Sequence, residues 1–302
     1  MGIKNSESIC GIFCLNKPAG MTSRDAVNLL QRFLKRVRLG HAGTLDPLAT
    51  GVLVVCVGSA TRLVPFVQGL SKLYRATFLL GRSSPTDDID GEVTELASAP
   101  IPSRQQVESV LPEFIGTICQ RPPIYSAVKI EGRRGYEWAR QGEPREAEPR
   151  PVTVYELKIL RYEYPELELE IHCGSGTYVR SIGRDLAQRL GTAAVMSQLT
   201  RLAIGHFVVD QSVDPRELGP HNWQSFLLPP AVAVQHLPQV RLSDDKAEQL
   251  LRGQWPVYDG NLLSGEIAAS FDQAGHLLGV VECQPDNRLK PVVNLPRPLA
   301  TP

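Results

Sequence analysis

The 302-residue chain has no long hydrophobic run, no cysteine-rich segment and no excess of charge of either sign. No stretch approaches the roughly 20 apolar residues of a membrane-spanning helix, so membrane insertion is not expected. Six cysteines are spread from Cys10 to Cys283 without paired CxxC clusters, which argues against a secreted disulfide scaffold. The N-terminal segment also lacks a recognisable signal-peptide cleavage site. We therefore expect a cytoplasmic protein whose cysteines are reduced and mostly buried.

The charge balance gives no sign of a polyanionic partner, because thirty-two basic side chains match thirty-two acidic ones. Any nucleic-acid surface must therefore be local. One candidate is a run without a carboxylate, whose basic members are Arg32, Lys35, Arg36 and Arg38. Charge alone favours the alternative interpretation, which is a solvated helix face.

Motifs for cofactors and metal ions are also missing from the sequence. It contains neither a dinucleotide-binding fingerprint nor a phosphate-cradling glycine loop. Its six histidines form no HExxH pattern and no clear Cys/His ligand set. No cofactor and no metal ion are therefore predicted.

Hydrophobic spacing predicts both helices and strands in the first three quarters of the chain. Helices are expected at 24–36 (capped by Thr22 or Ser23), at 105–114, and in a segment that begins strand-like near 177, turns helical and is closed by Gly191. Strands are expected at 52–57, 74–80, 152–160 and 167–173. The first is continuously apolar, as in a strand buried on both faces, and the last two are expected to pair.

Two further segments are predicted to be exposed, and a second module is predicted to follow. Residues 83–91 are expected to form a polar surface loop. Residues 120–150 are rich in Arg, Gly, Pro and Glu and are expected to form an exposed, mobile insertion. Beyond a boundary placed near residue 232, Ser243 is expected to cap a helix, and strands at 267–271 and 277–282 flank a turn. The predicted domains are 1–231 and a small, mainly β module at 232–302.

The most unusual segment is residues 40–51, with the sequence GHAGTLDPLATG. Three glycines and a proline within twelve residues impose a tightly shaped backbone, and glycine lets main chain approach a ligand closely. This backbone displays a single carboxylate, Asp46. From the residues alone, a turn-forming or helix-capping aspartate remains as good an interpretation as a catalytic one.

The loop and two other segments together resemble the TruB-type tRNA pseudouridine synthases. The other segments are LNKPAGMTS at 15–23 and GTYVRS at 176–181, and all three occur in the order of that family's motifs. Shorter stretches extend the likeness over roughly residues 11–210: YR at 74–75, YSAVK at 125–129, RPVTVY at 150–155 and LTRL at 199–202.

The resemblance implies a fold, a reaction and a substrate. It implies an α+β fold with a central mixed, mainly antiparallel sheet flanked by helices, and more loosely a PUA-like RNA-binding module at the C-terminus. The implied reaction converts uridine 55 of the tRNA T-loop to pseudouridine, replacing its C1′–N1 bond with a C1′–C5 bond. Such an isomerisation needs no redox or energy-rich cofactor. A monomer that requires no protein partner is expected.

The resemblance also implies the catalytic residues. Asp46 is the implied catalytic aspartate. Arg180 is its implied cationic partner, because a carboxylate enclosed by protein and base needs a positive charge to stay ionised. Tyr74 is expected to stack on the target base and has been considered as the acceptor of its C5 proton.

Five more residues receive roles only through the resemblance. His41 is expected to help hold the RNA loop open once the uridine has flipped out, because something must replace the lost stacking. Lys17, Lys129 and Leu199 are expected to contact substrate or line the pocket. Asp88 is expected to join the network of Asp46 and Arg180. The loop around Asp88 departs from the family, which has Thr-Asp-Thr where this chain has Ser-Pro-Thr at 84–86.

Three alternatives remain open at this point. A non-catalytic tRNA-folding protein could use the same pocket, although binding alone would not require a lone carboxylate facing a polyanion. A glycoside hydrolase usually needs two carboxylates, and the sequence offers one convincing candidate. Guide-RNA-dependent synthases share the core motifs, but the insertion at 120–150, whose Arg121, Lys129, Arg133, Arg134 and Arg140 are expected to face phosphates, favours the stand-alone type.

Overall fold

The computed structural model describes residues 9–296. Expectations for residues 1–8 and 297–302 lie outside this range. The α-helices are α1 (Ser23–Gln31), α2 (Val64–Gly69), α3 (Arg104–Val110), α4 (Gly135–Arg140), α5 (Val179–Arg189) and α6 (Asp244–Leu251). The strands up to the insertion are β1 (Gly11–Lys17), β2 (Leu39–His41), β3 (Thr50–Val57), β4 (Lys72–Leu80), β5 (Arg82–Ser83), β6 (Thr94–Glu95) and β7 (Gly116–Gln120). The remaining strands are β8 (Lys129–Ile130), β9 (Arg133–Arg134), β10 (Arg150–Glu163), β11 (Glu166–Cys173), β12 (Ala194–Ile204), β13 (Phe207–Val208), β14 (Gln239–Arg241), β15 (Ile267–Phe271), β16 (Leu277–Cys283) and β17 (Leu289–Asn294).

A nine-stranded sheet forms the centre of the molecule. Its main path runs β1-β3-β12-β4-β11-β10-β7, with β2 added to β3 and β13 to β12. Only the β3–β12 contact is parallel, so the predicted mixed, mainly antiparallel sheet is confirmed. The predicted strands at 52–57 and 74–80 lie within β3 and β4, and the predicted pair at 152–160 and 167–173 forms the β10–β11 hairpin.

The helices cover this sheet because its strands carry apolar side chains on the faces they present. Helix α5 packs on β4 and β12 through Ile182 and Leu186. The contact is close, because a Cβ atom on Gly183 would lie 2.1 Å from the ring of Phe78. Helix α1 covers the other end of the sheet through Ala26, Val27 and Leu30.

Two local expectations from the sequence are corrected by the structure, and a third is refined. Helix α1 ends at Gln31 rather than at residue 36, because the side-chain amide of Gln31 donates to the carbonyls of Leu34 and Val37 in a following turn. Of the helix expected at 105–114, the first part forms α3 and the last part, Leu111–Phe114, is a 3-10 turn, because Pro112 cannot continue an α-helical hydrogen-bond pattern. The expected surface loop at 83–91 is present, with Ile89 and Asp90 exposed, but Asp88 within it is buried at 3% exposure.

The C-terminal module contains the four-stranded sheet β14-β15-β16-β17 and helix α6. The strands predicted at 267–271 and 277–282 are confirmed, and Ser243 precedes α6, although its side chain makes no capping hydrogen bond. Phe271 and Val280 of the module share one apolar cluster with Val54 of the large sheet and Leu63 of the 3-10 turn after β3. The two parts are therefore packed together through buried side chains.

The described residues of 120–150 form a short β8–β9 hairpin followed by α4. Among residues 9–296, no helix is long and apolar enough to cross a membrane. All six cysteines are free thiols, and four are buried, as the sequence predicts; Cys119 is exposed and Cys10 is half-buried.

Candidate active site

Asp46 lies at the tip of the loop that joins β2 to β3. Glycines shape both ends of the loop, because Gly43 and Gly51 adopt φ values of +106° and +98°, which side-chain-bearing residues rarely adopt. At Gly51 a Cβ atom would also lie 2.2 Å from the carbonyl oxygen of Arg201 on β12. The glycine thus permits the parallel contact between β3 and β12 that supports the loop.

The start of α1 holds the other side of the loop in place. The Ser23 hydroxyl accepts a hydrogen bond from the Leu45 amide at 2.8 Å and donates to the Leu45 carbonyl at 3.1 Å. The Gly20 amide donates to the Pro47 carbonyl at 2.9 Å. Asp46 is therefore bracketed by two neighbours whose backbones are fixed from the segment at 15–23.

The structure brings Asp46, Asp88 and Arg180 together, as the resemblance implied. Nε of Arg180 lies 3.1 Å from Oδ2 of Asp46, and its Nη1 lies 3.3 Å from Oδ2 of Asp88. The same guanidinium donates to the carbonyls of Thr86 at 2.7 Å and Tyr125 at 3.0 Å. Arg180 is thus fixed on four sides, and its side chain is 7% exposed.

Asp46 is the more accessible member of this network. Its side chain is 34% exposed, against 5% for Asp88. Burial raises the pKa of Asp46, the Arg180 cation opposes this rise, and the Asp88 carboxylate adds to it. A base that covered the open side of Asp46 would remove more water and increase its dependence on Arg180.

Tyr74 lies on β4 directly opposite Arg201 of β12. It belongs to the same apolar cluster as Leu45 and Ala49 of the loop, and Asp46 is near enough to influence its pKa. Burial raises the pKa of Tyr74, and the nearby Arg201 guanidinium opposes that rise. The phenol therefore stays protonated at neutral pH.

His41 ends β2, one side of the loop, and is half-buried. Burial lowers its pKa, and the cations of Arg24 and Arg201 lower it further. The imidazole is therefore neutral at pH 7 and offers an uncharged aromatic face.

Lys17 lies beneath the catalytic loop, close enough to Asp46 for the two charges to interact. It is fully buried, and its ammonium donates to the carbonyls of Pro18 at 2.8 Å, Met21 at 2.6 Å and Pro47 at 3.3 Å. Burial lowers its pKa to about 8. Lys17 thus joins the segment after β1 to the catalytic loop, and its expected role in substrate contact or pocket lining stays a prediction.

Leu199 packs beside Tyr74, whereas Lys129 is exposed on the insertion, and the expected substrate contacts of both stay predictions. Leu199 is 7% exposed on β12 and packs in the cluster that contains Tyr74. Lys129 is exposed at the start of the β8–β9 hairpin, four residues after Tyr125, whose carbonyl accepts from Arg180.

Sequence reasoning gave no role to Arg201, although the motif at 199–202 contains it. Its side chain is 2% exposed and donates from Nε to the Val52 carbonyl at 2.7 Å and from Nη2 to the Gly43 carbonyl at 3.2 Å. It thus connects β12 to both ends of the catalytic loop. No strand was expected at 194–204 from the sequence, so no local pattern marked Arg201 as a buried side chain.

Comparisons with known proteins agree with this geometry. Residues 31–179 match the family model described as "TruB family pseudouridylate synthase (N terminal domain)", and residues 238–293 match "Pseudouridine synthase II TruB, C-terminal". The tRNA pseudouridine synthase B of Caulobacter sp. (strain K31) is 42% identical over 256 residues, which cover 83% of this chain and 82% of that protein. The chain belongs to the TruB family of pseudouridine synthases.

Other TruB relatives cover nearly the whole chain. The tRNA pseudouridine synthase B of Mannheimia succiniciproducens is 36% identical over 307 residues, covering 97% of this chain and 98% of that protein. The one from Synechocystis sp. is 42% identical over 250 residues, covering 81% of this chain and 84% of that protein. Family membership removes the glycoside hydrolase alternative.

Solved structures confirm the α+β fold. A Cbf5-Nop10-Gar1 complex matches with a TM-score of 0.72 and 24% identity, covering 97% of this TruB-family chain and 85% of that chain. An H/ACA RNP bound to a substrate RNA containing 2′-deoxyuridine matches with a TM-score of 0.73 and 22% identity, over 97% and 87% of the two chains. At these identities the likeness concerns the fold alone.

Proposed function

We propose that this chain isomerises uridine 55 in the T-loop of tRNA to pseudouridine, with Asp46 as the catalytic carboxylate. The chain is a TruB-type pseudouridine synthase, and the relatives that cover most of it are named tRNA pseudouridine synthase B. The observation that carries the assignment of Asp46 is its 3.1 Å ion pair with the buried Arg180, with one side of the carboxylate left open.

The Asp46–Arg180 pair suits a carboxylate that must react while covered by a base. Removing water from an aspartate favours its protonated form, and an adjacent guanidinium restores the ionised one. The Arg180 side chain cannot rotate away from Asp46, because the Thr86 and Tyr125 carbonyls accept hydrogen bonds from its Nη1 and Nη2. Asp46 is therefore ready to act on the flipped uridine while its C1′–N1 bond breaks and its C1′–C5 bond forms. The C5 proton is lost and N1 gains one, so no atoms are added overall.

Tyr74 and His41 are proposed to provide aromatic surfaces for the flipped uridine and for the RNA loop, respectively. The raised pKa of Tyr74 favours stacking on the extruded base over general base catalysis, because a protonated phenol is a poor proton acceptor. The neutral imidazole of His41 is suited to occupying the space that the uridine leaves in the RNA loop. Leu199, beside Tyr74, is proposed to line the pocket.

The insertion at 120–150 is proposed to contact the T-arm. Part of its positive charge is neutralised within the insertion, since Arg121 pairs with Glu146 and Arg145 with Glu131. Arg133 and Arg145 stack over Trp138, while Arg134 and Arg140 lie over Tyr136. Exposed arginines arranged on aromatic rings, together with Lys129, are suited to RNA phosphates and bases. Binding should therefore weaken as salt rises.

The C-terminal module is proposed to add affinity rather than chemistry, with a domain boundary near residue 232. None of Asp46, Tyr74, Arg180 and Asp88 lies in it. Its PUA-like character is a prediction that rests on the resemblance alone. Weakening its RNA surface should raise KM more than it lowers kcat. We further propose that the protein acts as a monomer in the cytoplasm, without a protein partner.

The test uses an unmodified tRNA transcript incubated with wild-type protein and with Asp46→Asn. Carbodiimide adduct mapping locates pseudouridine, which has the same mass as uridine. We expect one adduct at position 55 with the wild type and none with Asp46→Asn, although both proteins bind the transcript. An adduct elsewhere would refute the substrate position. Equal tRNA refolding by both proteins with no adduct from either would support the folding-protein alternative instead.

A further inference from the structure

The loop at 84–91 carries Asp88 into the site through an unfavourable backbone conformation. The residue before it, Asp87, has a φ of +60°, which costs a non-glycine residue roughly 1–3 kcal/mol. Such a conformation persists only where the surroundings enforce it. Two backbone bonds with Met196 of β12 hold the loop: the Met196 amide donates to the Asp87 carbonyl at 3.0 Å, and the Ile89 amide donates to the Met196 carbonyl at 3.1 Å.

A side-chain contact holds the same residue from the other side. Oδ2 of Asp87 lies 3.0 Å from Nη1 of Arg184, and the two side chains are only 17% and 21% exposed. Because Arg184 holds the carboxylate of Asp87, the side chain of the next residue, Asp88, points into the site. There Asp88 accepts from the Thr86 hydroxyl at 2.5 Å and from the Asp90 amide at 3.1 Å, and pairs with Arg180.

Arg184 also reaches the base of the insertion. Its Nη2 donates to the Arg121 carbonyl at 2.8 Å, and the Ser181 hydroxyl donates to the same carbonyl at 2.9 Å. Its Nε is held by Asp185 at 2.8 Å. Residues four apart on a helix share a face, so Arg180 and Arg184 of α5 act on the same two segments. Arg180 contacts Thr86 and Tyr125, whereas Arg184 contacts Asp87 and Arg121.

We propose that Arg184 is a positioning residue for the pseudouridine synthase reaction. It fixes Asp87 in its left-handed conformation, which keeps Asp88 and the Thr86 carbonyl on Arg180, and Arg180 in turn on Asp46. It also ties this loop to the base of the RNA-binding insertion. Arg184 touches neither Asp46 nor the pocket, so its effect passes through Asp87. The inference rests on the proposed function, because the geometry it maintains is that of the Asp46–Arg180 pair.

The test compares Arg184→Gln, Asp87→Asn and the double variant with wild type. Asparagine tolerates a positive φ as well as aspartate does, so Asp87→Asn removes the charge without a new backbone cost. The matched control is Arg189→Gln on the same helix, which removes an exposed pair with Glu113 far from the loop. The measurement is the single-turnover rate of pseudouridine formation with saturating enzyme at 25 °C, with Tm recorded for every variant.

We expect Arg184→Gln and Asp87→Asn each to slow the single-turnover rate by about tenfold to a hundredfold, the effect that a misplacement of about 1 Å can have. The double variant should be no slower than the worse single one, because both changes break the same link. Arg184→Lys, which keeps the charge but not the three directions of the guanidinium, should recover part of the rate. Arg189→Gln should match wild type.

Single-turnover rates within about twofold of wild type in both single variants would overturn the proposal, even if Tm fell, because that result describes a purely structural contact. Multiplicative losses in the double variant would overturn the route through Asp87. If Arg184→Gln does not fold, Asp87→Asn alone decides: a loss of about tenfold or more supports the proposal, and a rate within about twofold of wild type overturns it. A wild-type protein that makes no pseudouridine would refute the proposed function, whereas an active wild type with unaffected variants would refute this inference alone.

Discussion

Arg180→Lys is the substitution that best separates the shape of the cation from its charge. Arg180 uses Nε for Asp46, Nη1 for Asp88 and the Thr86 carbonyl, and Nη2 for the Tyr125 carbonyl. A lysine ammonium is one nitrogen at the end of a flexible stem. It can remain near Asp88 and the Thr86 and Tyr125 carbonyls, but it cannot at the same time supply the Nε contact to Asp46.

The expected loss follows from that missing contact. A hydrogen bond to a charged group contributes about 1.5–3 kcal/mol. If this contribution stabilises the transition state, its removal lowers kcat by about tenfold to about 150-fold, since about 1.4 kcal/mol corresponds to a factor of ten. The fold should survive, because the positive charge between Asp46 and Asp88 is retained.

The assay is single-turnover pseudouridine formation on a tRNA transcript, with tRNA affinity measured separately by filter binding. Arg189→Lys is the control, because its partner Glu113 is exposed and remote from the pocket. A rate within about twofold of wild type for Arg180→Lys, at unchanged affinity, would refute the assigned role of the guanidinium.

Three further results are expected. Because burial raises the pKa of Asp46, activity should be lost as the pH falls through a value above the usual aspartate pKa of about 3.9, and Arg180→Gln should move this limb of the kcat/KM profile higher still. For the same reason, ionised Asp46 destabilises the free protein at pH 7. Asp46→Asn should therefore raise the free energy of unfolding measured in urea. Gly51→Ala should lower the free energy of unfolding by more than the roughly 1–3 kcal/mol expected for its positive φ, because the added Cβ meets the Arg201 backbone. Gly253→Ala is the control: its φ is +79° but its Cβ would enter open space, so only the cost of the positive φ should appear.

The sequence predicted the elements whose pattern is local. The apolar run at 52–57 lies within β3, and the alternation at 152–160 and 167–173 marks the β10–β11 hairpin. The end of α5 was also predicted from a local pattern, because Gly191 follows the helix and has a φ of +72°. Helix α1 was overextended because its apolar spacing continues past Gln31, where a side-chain hydrogen bond to the backbone replaces the helical pattern.

The site was predicted where a motif names the residue and missed where the fold creates the contact. Asp46 and Arg180 were paired through the resemblance, and their ion pair is present in the structure. Arg201 was passed over because its partners are backbone carbonyls, which no residue pattern reveals. Residues 83–91 form the expected surface loop, but their polar composition does not show that Asp88 faces inward; only the resemblance placed Asp88 in the network. That burial depends on a left-handed Asp87 and on Arg184, almost one hundred positions away in sequence.

The central claim is that Asp46 performs the chemistry, and tritium release from tRNA labelled at C5 of its uridines measures that chemistry directly. Forming the C1′–C5 bond requires the C5 hydrogen to leave, so each turnover at position 55 releases one label. Under single-turnover conditions with all tRNA bound, Asp46→Asn should release no label above a protein-free control, while its affinity for tRNA equals that of wild type. Release at the wild-type rate would contradict the account.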